Sequence, residues 1–144
     1  MTSLWRVDIG ALAESILREI DTSDLKKFPE DYIEGGEECR EIEVPEGKPE
    51  AGSDLHGFFV KIGDSRIECG SQAEAKYIEY AVMNGNARIR IPEDERAIKN
   101  AVECYGSAFN KLKKDVSIYT RITIKNNKLR EKVEAVVLRK ITKH

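Results

Sequence analysis

Histidine is nearly absent from this 144-residue chain, occurring only at His56 and His144. Neither a histidine-based catalytic triad nor a histidine-rich metal site is therefore indicated. Cysteine is sparse as well: Cys39, Cys69 and Cys104 stand 30 and 35 residues apart. That spacing gives no disulfide framework and no metal-ligand pair, and it points to a reduced, cytosolic protein. No flanking cation or neighbouring histidine marks any of the three as an activated thiolate, and Cys104 reads as a small core residue. Aromatic residues make up 7% of the chain, and no apolar run approaches the ~20 residues that span a bilayer. The stretch MTSLWRVDIGALAESILREID is interrupted by Asp8, Glu14 and Arg18, so it lacks the core of a signal peptide, and no membrane partner is expected. Neither G-x-x-x-x-G-K-[ST] nor G-x-G-x-x-G occurs, so no glycine loop is indicated for phosphate binding. No cofactor follows from any of this, and the chain reads as non-enzymatic.

Charge is abundant and unevenly placed. Residues 1–55 carry fifteen Asp and Glu against six Lys and Arg, residues 56–110 eight against seven, and residues 111–144 three against eleven. The net charge of −2 thus conceals an acidic beginning and a basic end. Such asymmetry speaks about partners more than about fold. It fits first an acidic segment docked on a basic one, within a monomer or across a dimer, and second a basic end that meets a polyanion.

Periodicity supplies the elements. Leu12, Ile16, Leu17 and Ile20 fall on one helical stripe, predicting a helix over 9–20 capped by Asp8. Residues 34–55 hold eight acids with Gly and Pro, and only Ile42 and Val44 as branched apolar residues. They read as an acidic linker or loop. Residues 57–62 and 65–69 alternate around Gly63-Asp64, a hairpin signal. Ser71 and Glu74 match a capping box for a helix running to Asn84, with Gly85 suited to the left-handed position after it. Residues 87–91 alternate as a short strand. Pro92 and the acids that follow open a second helix, with Ile98, Ala101, Val102, Tyr105, Ala108, Phe109 and Leu112 inward. Residues 116–124 alternate again and predict a strand with Val116, Ile118, Thr120, Ile122 and Ile124 on one face. The last segment, 128–141, reads as a helix through Leu129, Val133, Val136, Val137 and Ile141, although Val136-Val137-Leu138 would also suit a strand. The resulting expectation is an α+β fold: a four-stranded sheet in ββαβαβα order with helices on one face. A helical arm (1–33) and the acidic linker (34–55) precede this α+β domain (56–144).

Side chains alternate across a sheet, so the apolar sets turn Phe59, Lys61, Arg66, Glu68, Arg88, Arg90, Tyr119 and Arg121 to the opposite face. Cations that track phosphates, with aromatic rings and guanidinium planes that stack on unpaired bases, are the mixture that holds single-stranded nucleic acid. On a helical last segment, Lys128, Lys132, Arg139 and Lys143 fall within about 60° of one another and form an electrostatic rim. The expected function is a nucleic-acid-binding accessory module. The alternative is a protein-interaction or oligomerisation domain whose acidic N-terminal part pairs with the basic C-terminal part. A third reading is a metal-dependent nuclease built from Asp54, Asp64 and Glu68 with Lys61 nearby.

Overall fold

A computed structural model describes residues 8–23 and 25–142. Its elements, in chain order, are α1 (Ile9–Glu19), a 3-10 turn (Glu30–Tyr32), β1 (Cys39–Glu43), β2 (Pro49–Asp54), β3 (Gly57–Ile62), β4 (Ser65–Cys69), α2 (Gln72–Met83), β5 (Arg88–Pro92), α3 (Glu95–Thr123) and α4 (Asn127–Thr142). They form two compact units, one built from residues 25–107 and one from residues 8–23 with residues 108–142; α3 contributes to both.

The 25–107 unit is α+β, with its strands in two antiparallel sheets where one four-stranded sheet was expected. One sheet has the order β2-β3-β4 and the other pairs β1 with β5. The predicted hairpin is present as β3 and β4, with Gly63 at φ 59° in its turn. Its partner β2 arises from the segment expected to be a loop. Composition concealed β2 because its pairing comes from backbone and tertiary contacts. Gly52 lies opposite Phe59, where an added Cβ would come within 2.9 Å of the ring, and the Ala51 N–H donates to the Glu79 carboxylate at 2.9 Å. The same acidic segment supplies β1. Glu41 and Glu43 stand opposite Arg90 and Arg88 in register, so the charges that argue against order in isolation are balanced once β5 lies alongside. Backbone bonds from Glu93 N to Glu38 O and from Val44 N to Ala87 O, both 2.9 Å, extend this pairing past both ends.

Helix α2 starts as predicted, with the Ser71 hydroxyl accepting from the Glu74 N–H at 3.1 Å. The Glu74 carboxylate does not complete the capping box; it pairs with Arg40 of β1. Gly85 takes the left-handed conformation at φ 83°. Helix α2 packs on the β2-β3-β4 sheet and on β5. The core holds Val60, Ile62, Ala75, Ile78, Ala81, Ile89 and Ile91 beside an aromatic cluster of Phe28, Tyr77 and Tyr105. Buried hydroxyls and amides there are satisfied: Tyr77 donates to the Arg90 carbonyl at 2.6 Å, and the Asn84 amide donates to the Tyr105 hydroxyl at 3.0 Å.

The other unit is helical. Helix α1 is capped by Asp8, whose carboxylate accepts from the Ala11 N–H at 3.1 Å, and it buries Ala13 and Ile16. Residues 116–124, expected as a strand, continue α3 instead. No glycine, proline or asparagine breaks the chain between Leu112 and Ile124. Phe109, Leu112, Val116, Thr120 and Ile124 are all buried at helical spacing. The period-two pattern coincides with this stripe at Val116, Thr120 and Ile124. It fails at Ile118 and Ile122, which are 58% and 72% exposed. Pro92, expected in the first turn of this helix, ends β5, and Asp94 caps α3 by accepting from the Arg96 N–H at 2.9 Å. Helix α4 buries Val133, Val137 and Ile141 and packs against α1. A buried Thr120 hydroxyl donates to the Glu134 carboxylate at 2.5 Å and ties α3 to α4.

Candidate functional site

The residues expected to share one sheet face are divided among different elements. Phe59, Lys61 and Arg66 stand on β3 and β4, Arg88 and Arg90 on β5 of the second sheet, and Tyr119 and Arg121 on helix α3. Tyr119 and Arg121 leave the sheet because the segment that carries them is helical. Lys143 lies outside the described residues.

On the β2-β3-β4 sheet, Phe59 and Arg66 do come together, with the guanidinium carbon 4.0 Å from the ring centroid. The same guanidinium is held by Asp54 at 2.9 Å and Glu68 at 2.5 Å. Hydrogen bonding to Arg66 lowers the Asp54 pKa below the usual carboxylate range, and the two acids push the arginine's further up. Lys61 stands opposite Glu50. On the two-stranded sheet, Arg88 reaches Glu43 at 3.2 Å and Glu41 at 3.9 Å. Across both sheets the four candidate cations therefore share their faces with five acids: Glu41, Glu43, Glu50, Asp54 and Glu68. Local acids already balance these cations, so the sheet faces lack the surplus positive charge a phosphate backbone requires.

The helical unit differs. Lys128, Lys132 and Arg139 are exposed on α4, on the side away from Val133 and Val137, and lie within about 60° of one another. None has a carboxylate partner among the described residues. Lys140 does, reaching Glu14 of α1 at 2.5 Å; that bond lowers the Glu14 pKa. Residues 111–142 hold ten Lys and Arg against three Asp and Glu.

Asp54 and Glu68, two of the three carboxylates considered for a metal, are engaged by Arg66. Among the described residues no three His, Cys, Asp or Glu side chains come together as a metal site. The Cys69 thiol is pushed up to about 11, first by burial and then by the charge of Glu74, which disfavours its thiolate. His56 is exposed in the turn between β2 and β3, and Cys104 is exposed on α3, outside the core expected for it. No described helix is long and apolar enough to cross a membrane. No family model, curated protein or solved structure matches this chain.

Sequence reasoning missed two features: the acids that clamp Arg66 and the outward isoleucines of α3. The uninterrupted stripe from Phe109 to Ile124 was the signal for the second. For the first, Glu68 had a local signal in its i+2 place beside Arg66 on β4, whereas Asp54 had none, because it reaches Arg66 across the sheet from β2.

Proposed function

We propose that this protein is a small non-enzymatic binding module whose helical unit meets the phosphate backbone of a nucleic acid through the outer stripe of α4. The observation that carries this reading is the set of exposed cations Lys128, Lys132 and Arg139, aligned on one side of the helix with no carboxylate partner among the described residues. From Lys128 to Lys132 the helix rises about 6 Å, and from Lys128 to Arg139 about 16 Å, so the stripe follows a backbone over several phosphates. The sheet faces contribute no base-stacking platform, since Arg66 is stacked on Phe59 and clamped by two acids. Contact of this kind reads charge rather than sequence.

Fluorescence anisotropy with labelled single-stranded RNA, single-stranded DNA and duplex DNA at several salt concentrations tests the reading. Micromolar or tighter binding that weakens steeply with salt is expected. Flat titrations at the lowest salt would refute it.

The Glu14–Lys140 pair favours a second reading, in which the basic end serves the chain's own acidic part. That pair lies within one chain, and sedimentation velocity showing a dimer that Lys140→Glu dissociates would favour the oligomerisation version.

A further inference from the structure

The C-terminal half of α3 has a second exposed face, separate from the α4 stripe. Phe109, Leu112, Val116 and Thr120 point into the helical core; at 100° per residue, Ile118 and Ile122 lie on the far side, one turn apart. Lys114, Asp115 and Arg121 border them on α3 and Lys125 follows in the loop after the helix; all are exposed, and none of the three cations has a carboxylate partner among the described residues. Two exposed isoleucines alone mean little. Their cationic border is what specifies a partner.

We propose that this face docks an acidic amphipathic helix of a partner protein. Apolar side chains one turn apart on that helix would cover Ile118 and Ile122, and flanking Glu or Asp residues would face Lys114, Arg121 and Lys125. Charge argues against a second copy as occupant. The face and the loop just after it carry three cations and one acid, so two copies would set net +2 against net +2. A nucleic-acid backbone would use the cations and leave the isoleucines in water. A lipid surface calls for a broad apolar face with aromatic and leucine side chains, whereas here the apolar strip is two residues long between charges.

The test uses the full chain and a short fluorescein-labelled peptide rich in glutamate, with two leucines one helical turn apart, read by anisotropy at low salt. Two controls accompany it: the same composition with the leucines on opposite sides, and a version with lysine in place of glutamate. Micromolar binding of the first peptide is expected, weakened about tenfold or more by Ile118→Ser with Ile122→Ser. The triple variant Lys114→Glu, Arg121→Glu, Lys125→Glu should lose the acidic peptide and gain the lysine version. Circular dichroism checks that both variants keep their helices, and the isoleucine variant should keep its nucleic-acid affinity, which separates this proposal from the α4 reading. Three results would overturn it: equal binding of the leucine-displaced control, a wild-type dimer that the isoleucine variant abolishes, or isoleucine-dependent binding to phosphatidylserine vesicles.

Discussion

The two units handle the same kind of side chain in opposite ways. In the β-rich unit, arginines meet acids: Arg66 holds Asp54 and Glu68, Arg88 holds Glu43 and Glu41, and Arg40 pairs with Glu74. In the helical unit, Lys140 finds Glu14, while Lys128, Lys132 and Arg139 find no acid among the described residues. A strand pairs with chain from elsewhere, and the acidic strand β1 brings carboxylates to β5 residue by residue. An outer helix stripe has no such neighbour. It keeps whatever charge its sequence carries, so the number of cations on an element says less about binding than the identity of the residues opposite them.

In the β-rich unit Phe28 is buried against Tyr77 and Tyr105. Phe28→Ala should cost about 3–5 kcal/mol in urea unfolding. If the two units unfold separately, amide signals of β3 and β5 should be lost before those of α4; simultaneous loss would mean that they melt as one. Next in size is a contrast of charge variants. Lys128→Glu, Lys132→Glu and Arg139→Glu together should weaken nucleic-acid binding about 100-fold and reduce the log–log salt slope by about 2 for a single strand. Neutralising Lys61, Arg66, Arg88 and Arg90 to glutamine should change affinity by no more than about twofold; a larger loss would break the contrast.

Smaller effects sharpen it. Ser71→Ala removes the α2 cap and should cost about 1 kcal/mol. Alkaline titration should act on the β-rich unit first. Burial pushes the Tyr105 hydroxyl up to about 12 and raises Tyr77 as well. Both stay protonated in the folded chain after they would ionise in the unfolded one, so the stability they carry is present below pH ~10 and declines as pH rises from there toward 12. Tyrosine absorbance at 295 nm followed with far-UV circular dichroism measures this; ionisation at pH ~10 with no loss of structure would contradict the burial argument. The smallest effect is expected of Ile118→Ser with Ile122→Ser, within about 0.5 kcal/mol of wild type, because both side chains already face water.

That last substitution also probes what was legible in the sequence. Local signals were read well where the cause is local: Asp8 and Ser71 cap helices with their own side chains, and Gly63 and Gly85 take the left-handed conformations that their turns require. Strand β1 was hidden because its partner is β5, far along the chain, and nothing within Cys39–Glu43 announces two arginines waiting opposite. Residues 116–124 satisfied two periods at once, and the deciding fact was the missing break after Leu112. The α4 stripe was visible in the sequence because helical spacing alone defines it. The expected sheet face was not obtained: alternation told which side chains turn outward but not that Glu50, Asp54 and Glu41 would turn outward with them, from strands that composition disguised as a linker.

The most direct test of this account is a two-dimensional amide NMR titration of the full chain with a single-stranded oligonucleotide at low salt. Shifts should concentrate on α4 around Lys128, Lys132 and Arg139, with β3, β4 and β5 unmoved. Shifts confined to the strands carrying Phe59, Arg66, Arg88 and Arg90, with α4 silent, would contradict it.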